Sequence, residues 1–437
     1  MANTSREILE KEEDERVAPW AMRSSLARRA HPIEREGRVF DYRTEFQRDR
    51  DRILHSRAFK RLRLKSSGGA IPPVERYRDR LTHTLEVSQI SRTVARSLGL
   101  NEDLVEAIAM GHELGAPPFA RAGEIALSAL AGAAGGGFQC NHQSLRVVDL
   151  IEKRYRHAGL NLTDATREGI LKHAAWSAAA HREAALRPGW APFLEAQVVA
   201  VVEEISSVVQ HLDDGLRAGD LDPASVEGLP IMRELLRRIE APVSQRAGSA
   251  RPGRGRGALF MRANLLNRGL THLFVTGIIQ HSQRSIRIWA RANVVETHAT
   301  FLAARGRLKP GTIGLSPPVS RLYDGLRSFV ARQLHQGAWL SAVAARARNI
   351  LSGIFQVLIQ DPRLADDYLL LRFKEECGGA FLRDVAPADI EKEIARRYRA
   401  NKRFARLVID HIAGMTDMFA IAEYERLLGP QLMRGSL

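Results

Sequence analysis

Two short stretches carry the side chains best suited to chemistry. "RLTHTLEV" sets His83 in an amphipathic segment, and "AIAMGHELG" sets His112 beside Glu113 at the end of an apolar one. Brought together by packed helices, an imidazole and a His–carboxylate pair offer nitrogen and oxygen donors to a single ion. Glu203, in "VVAVVEEISS" of a long apolar segment, adds a carboxylate and completes a four-ligand set. Such mixed donors suit Mn, Fe, Zn or Mg and leave positions open for water or phosphate. The chain has 14 histidines, and most of the others read as ordinary surface or core residues.

The elements that must position these groups read as helices. "RLTHTLEVSQISRTVARSLGL" (80–100) places Leu81, Leu85, Ile90, Val94 and Leu98 along one face at helical spacing. Asn101 followed by acids opens a second helix over 101–114. A long, largely buried helix follows over 193–219, stopped by a glycine, and 388–428 reads as two or three more. Alternating patterns are scarce, and "RVFDYRTEF" (38–46) is at most a short strand. An all-α protein is expected. Its parts are an N-terminal extension over 1–35, a core over 36–240, and a C-terminal helical part of the same domain over 258–437. Between the last two, the Gly-, Pro- and Arg-rich 241–257 reads as a flexible loop, and "GAAGGGF" (132–138) as a second flexible point.

The net charge of +15 over 437 residues favours polyanionic partners, nucleotides or nucleic acid, though arginine as the preferred surface cation explains it equally well. Aromatic residues are only 6%, so no aromatic-studded basic stripe for single strands is visible. No run reads as a membrane span and no signal peptide is expected. Cys140 and Cys377 match neither a disulfide framework nor zinc spacing, which makes a reducing cytoplasm the default location.

Several longer motifs occur in order: "FQRDRDRILHSRAFKRL", "LGLNEDLVEAIAMGHELG", "PPFARAGE", "NLTDATREGILKH", "LEAQVVAVVEEI", "DDGLRAG" and "DHIAGMTDMFA". From about residue 20 to the C-terminus the sequence resembles the bacterial deoxynucleoside triphosphate triphosphohydrolases, the dGTPase-like branch of the HD-domain superfamily. The resemblance implies an HD-domain fold with additional C-terminal helices, homo-oligomers, and hydrolysis of a dNTP to deoxynucleoside and triphosphate. It also implies a divalent metal held by His, His-Asp and a distant Asp, which fall on His83, His112, Glu113 and Glu203 here.

The chain departs from that pattern at informative places. Both metal-binding Asp positions carry Glu. Ala116 and Arg121 replace two histidines, the second credited with proton transfer, while its acidic partner Glu124 remains. An arginine stays protonated and cannot act as a base, though it can bind phosphate. In the implied substrate pocket, Ser67 stands where Gln is expected, and Ser207 and His211 where the family has Tyr and Asp. The phosphate-contacting Arg80 and Lys65 are kept. These departures point to a catalytically degenerate HD protein that binds a nucleotide, another phosphorylated ligand or a partner protein. The alternative is an active metal-dependent phosphohydrolase. A third reading is a nucleic-acid binder using Arg251, Arg254 and Arg256.

Overall fold

The computed structural model describes residues 6–32, 42–67, 78–173, 186–187, 189–235, 256–335 and 338–429. Within them the regular structure is helical, and extended segments pair only in isolated bridges such as Arg29 with Thr163 and Ser66 with Asp79. The all-α expectation holds. Helix ends follow local chemistry: Asn101 caps Glu102–Gly111 by accepting from the Leu104 N–H, and Leu194–Ala218 stops where Gly219 turns left-handed at φ 84°. The 388–428 stretch resolves into three helices, Ile390–Arg397, Lys402–Ala413 and Asp417–Leu428.

Three sequence-based expectations need correction. The described end of "RVFDYRTEF" is not a strand, because Thr44 and Gln47 form a reciprocal capping box that starts the Glu45–Leu54 helix. Residues 38–41, the rest of that stretch, lie outside the described residues. On the Arg80–Leu98 helix, the buried stripe runs through His83, Thr84, Val87, Ser91, Val94 and Leu98, while Leu85 is exposed. The helix is therefore rotated so that a histidine, rather than the leucine two positions later, faces inward. Most of the Gly/Arg-rich 241–257 lies outside the described residues, but its last two residues already belong to a helix, Arg256–Ala292. The absence of a membrane span is expected, and among the described residues one helix segment, Ser341–Gln360, is long and apolar enough by length and composition to cross one. Its Ala347, Leu351, Ile354 and Leu358 are instead fully buried in a protein core.

The chain forms two compact units that interleave in sequence. The first comprises Met1–Lys60, Leu81–Glu113 and Val147–Gly337; the second comprises Arg61–Arg80, Leu114–Arg146 and Ala338–Leu437. Leu104, Val105 and Ile108 pack with Val87, Val198 and Val202 in the core of the first. Each fully buried aliphatic side chain is worth about 1.5–3 kcal/mol, so the helices carrying His83 and His112 are held firmly. The second unit centres on Ile350, Ile354, Phe373, Phe404 and Val408.

Candidate metal centre

The site in the first unit is built at a crossing of two short helices. Glu102–Gly111 and Asp164–Lys172 are each capped at their start, by Asn101 and Thr163, and each ends on a histidine, His112 and His173. Glycines let them approach. A Cβ on Gly111 would lie 2.4 Å from Ile170 Cδ1, and one on Gly169 would lie 2.3 Å from Ile108 Cδ1. Each helix thus seats an isoleucine on the other's glycine, and the two terminal histidines are carried together. Their rings meet edge to face, with centroids 5.2 Å apart.

Both rings are oriented by their own helices. Nδ1 of His173 lies 2.7 Å from the Ile170 carbonyl oxygen, and Nδ1 of His112 bonds the Ala109 carbonyl in the same way. A carbonyl only accepts, so in both rings Nδ1 carries the proton and Nε2 the lone pair. His83 reaches the same tautomer by another route. Its Nδ1 lies 2.6 Å from Oε1 of Gln210, whose Nε2 donates to the Glu86 carboxylate. Because Glu86 takes the amide's NH2, the oxygen must face His83, and this network assigns the proton to Nδ1.

The donor atoms of His83, His112 and Glu113 lie within 4.8 Å of one another, with His112 Nε2 3.9 Å from Glu113 Oε1. Ligands bound at 2.0–2.2 Å to one ion sit roughly 3–4.4 Å apart, so small side-chain shifts close this set on a metal. His83 and His112 are only 2% and 3% exposed. Burial pushes His112 down from 6.5 to about 3, with His173 and His83 lowering it further and Glu113 opposing. Burial lowers His173 as well. Neutral imidazole is the form that ligates. Two imidazoles and a carboxylate therefore fit a divalent ion.

Glu203, Ser207 and His211 share one side of the Leu194–Ala218 helix, but Glu203 is outside the three-residue cluster. Gln210, seven residues on, is the position that reaches His83, and at ~1.5 Å per residue Glu203 sits about 10 Å further along the axis. Burial and the Glu204 charge oppose the ionisation of Tyr323, and the Glu203 charge adds to them. In the second unit, Lys65 is buried and its ammonium donates to the Ala116 and Ala413 carbonyls. Burial and the Arg80 charge lower its pKa to about 7. The Arg80 backbone N–H bonds the Lys65 carbonyl, and the Ser67 N–H bonds that of Arg78. Arg121 is exposed, while Glu124 Oε1 accepts the Cys140 N–H at 2.9 Å at the start of a short helix.

Comparison with known proteins bears directly on this arrangement. Residues 80–216 match the HD domain, and residues 379–426 match the phosphohydrolase-associated domain. Proteins named deoxyguanosinetriphosphate triphosphohydrolase-like from Ralstonia nicotianae and Syntrophus aciditrophicus are 35% and 34% identical to this chain. The alignments cover 95% and 98% of this chain and 98% and 97% of theirs. A third, from Deinococcus radiodurans, is 35% identical over 97% of this chain and all of its own length. This chain belongs to the deoxyguanosinetriphosphate triphosphohydrolase-like family.

Every residue of the first-unit cluster, His83, Glu86, His112, Glu113, His173 and Gln210, lies inside the HD match of this family member. Three of them escaped the sequence reading. His173 closes the quoted stretch "NLTDATREGILKH" and sits, like His112, at the C-terminal end of a short capped helix whose last turns include a Gly. That repeated pattern was a usable signal. Glu86 and Gln210 had none, since a glutamine on a buried helix face looks the same whether or not it holds an imidazole.

Proposed function

We propose that this HD protein binds a divalent metal and a nucleotide phosphate, and that its turnover of dNTPs is far below what an intact proton-transfer set would give. The carrying observation is the convergence of His83, His112 and Glu113 within 4.8 Å, with each imidazole oriented through Nδ1. A bound divalent ion supplies Lewis acidity to phosphate oxygen and water. The chain's own residues then divide the work. Buried His83 and His112 would hold the ion, Glu113 would neutralise its charge, and the positive protein field of +15 draws the anionic ligand.

Proton movement is where the chain is poor. Arginine at position 121 offers a phosphate a cation but no base, and the Glu124 carboxylate serves as an acceptor for the Cys140 N–H. A missing general base costs typically 10²–10⁴-fold. Glu203, Ser207, His211, Ser67, Arg80 and Lys65 remain candidates for ligand contact in this reading, the Lys65 ammonium already donating to the Ala116 and Ala413 carbonyls. A cytoplasmic homo-oligomer, as in the family, belongs to the same proposal. The second reading, an active phosphohydrolase, draws on His173, which places a further imidazole against His112.

One assay set separates the two. Purified protein is mixed with each dNTP and Mn²⁺, Mg²⁺ or Co²⁺, and both triphosphate release and the melting temperature are followed. The proposal expects nucleotides to raise the melting temperature in a metal-dependent way with little triphosphate released. It also expects Arg121→His to raise turnover by up to about 10²-fold. Brisk triphosphate release by the unaltered protein, abolished in His112→Ala, would establish the second reading instead.

A further inference from the structure

The Glu86–Gln210 pair does more than fill space beside the histidines. Gln210 comes from the Leu194–Ala218 helix and Glu86 from the Arg80–Leu98 helix, one turn after His83 itself. The two residues line a small cavity of about 30 Å³, with Asn267, Thr271 and Phe274 on its far wall. A space that size admits about one water, so packing alone does not dictate which way the Gln210 amide points. The two ends of an amide are nearly the same shape, and only hydrogen bonding tells them apart. Glu86 makes the choice. Its carboxylate can only accept, so it takes the NH2 and turns the carbonyl oxygen onto His83 Nδ1.

We infer that Glu86 and Gln210 are positioning residues that fix His83 in its Nδ1–H tautomer and so present Nε2 to the metal. This inference rests on reading the cluster as a metal site. It explains an asymmetry among the three imidazoles. His112 and His173 take their orientation from carbonyls of their own helices, three residues back. His83 lies in the first turn of its helix and is oriented through a side chain from another helix. Its readiness for metal therefore depends on two replaceable side chains, whereas that of His112 is built into the backbone.

The test has two arms. In the first, Co²⁺ is titrated into the full-length protein, its visible absorption is followed, and melting confirms folding. Gln210→Leu removes the acceptor and should weaken Co²⁺ binding by about 10- to 100-fold, the usual cost of losing an outer partner of a ligating His. Gln210→Glu sets two carboxylates against each other and should also weaken it. The exchange Glu86→Gln with Gln210→Glu restores one acceptor toward His83 and one donor beside it, and should bring affinity back to within a few-fold of the parent. The second arm needs no metal. Nitrogen-15 shifts of His83 in metal-free protein should report Nδ1–H in the parent and in the exchanged pair, with that preference lost in Gln210→Leu.

A folded Gln210→Leu that keeps parental Co²⁺ affinity, or an unchanged His83 tautomer in it, would overturn the inference. A parent that takes up no Co²⁺ refutes the metal reading instead, and the nitrogen shifts still decide whether Gln210 sets the tautomer.

Discussion

Two buried cationic or basic groups, one in each unit, show how differently the same degree of burial can be used. In the first unit, His112 spends Nδ1 on a backbone carbonyl and turns its other nitrogen toward Glu113 and His83. In the second, Lys65 is as deeply buried, but its donors go to the carbonyls of Ala116 and Ala413, tying two loops together. A titratable group whose hydrogen bonds converge with other donors on one point is available for chemistry. One whose hydrogen bonds go to backbone carbonyls is a fastening. Asp417 is a fastening of the same kind in the second unit, taking the Ser66 and Phe119 N–H groups on its two oxygens. Phe119 and Ala120 sit at φ 64° and 51°, a left-handed pair that such a clamp helps to hold.

The contrast can be broken most forcefully at the helix crossing. Gly169→Val drives a branched side chain into Ile108 and should cost about 1–3 kcal/mol of stability, read by denaturant unfolding. It should also weaken metal uptake, because His173 and His112 are carried apart. Unchanged uptake in a folded Gly169→Val protein would show that the crossing does not build the site. Next in size is Lys65→Met, which leaves two carbonyls without their donor and should cost about 1–2 kcal/mol near pH 10 while leaving metal affinity unchanged. Loss of metal in that variant would erase the distinction between the two regions.

Stability against pH sharpens the comparison with the smallest expected effects. Lys65 has a folded pKa near 7 against an ordinary 10.5, so between those values the unfolded chain binds more protons. Its contribution makes stability rise with pH across that window, and Lys65→Met should flatten the rise. His112 has a folded pKa near 3 against 6.5, so in metal-free protein its contribution is lost as pH falls from 6.5 toward 3. Glu195, fully buried and accepting the Met22 and Asn101 N–H groups, has the opposite sign. Burial raises it to about 7 from 4.5, so its contribution is present below pH 4.5 and fades as pH climbs to 7. Urea unfolding at intervals from pH 3 to 10, on the parent, Lys65→Met, His112→Ala and Glu195→Gln, separates the three windows.

What could be read from the sequence was what depends on neighbours along the chain. The 3.6-residue period exposed the helices, the Asn101 cap and Gly219 stop were visible as letters, and His112–Glu113 stood out by adjacency. The misreadings share one cause. Choosing Leu81 and Leu85 as the inward face of the Arg80–Leu98 helix assumed that apolar residues decide its rotation, whereas small residues, Thr84, Ser88 and Ser91, take the buried side and bring His83 with them. "RVFDYRTEF" carries a strand-like pattern, but its end is set by the Thr44–Gln47 capping box that starts a helix. The roles of Lys65, Gln210 and Glu86 depend on partners up to 348 residues distant in the chain, and no local pattern encodes those.

The measurement closest to the heart of this account is divalent metal content by elemental analysis, on protein incubated with Mn²⁺, Fe²⁺, Co²⁺ or Zn²⁺ and freed of excess ion. The account predicts that the parent retains about one equivalent of at least one of these ions and that folded His112→Ala retains almost none. A parent that emerges metal-free under every condition, or a His112→Ala protein that holds as much metal as the parent, would contradict it.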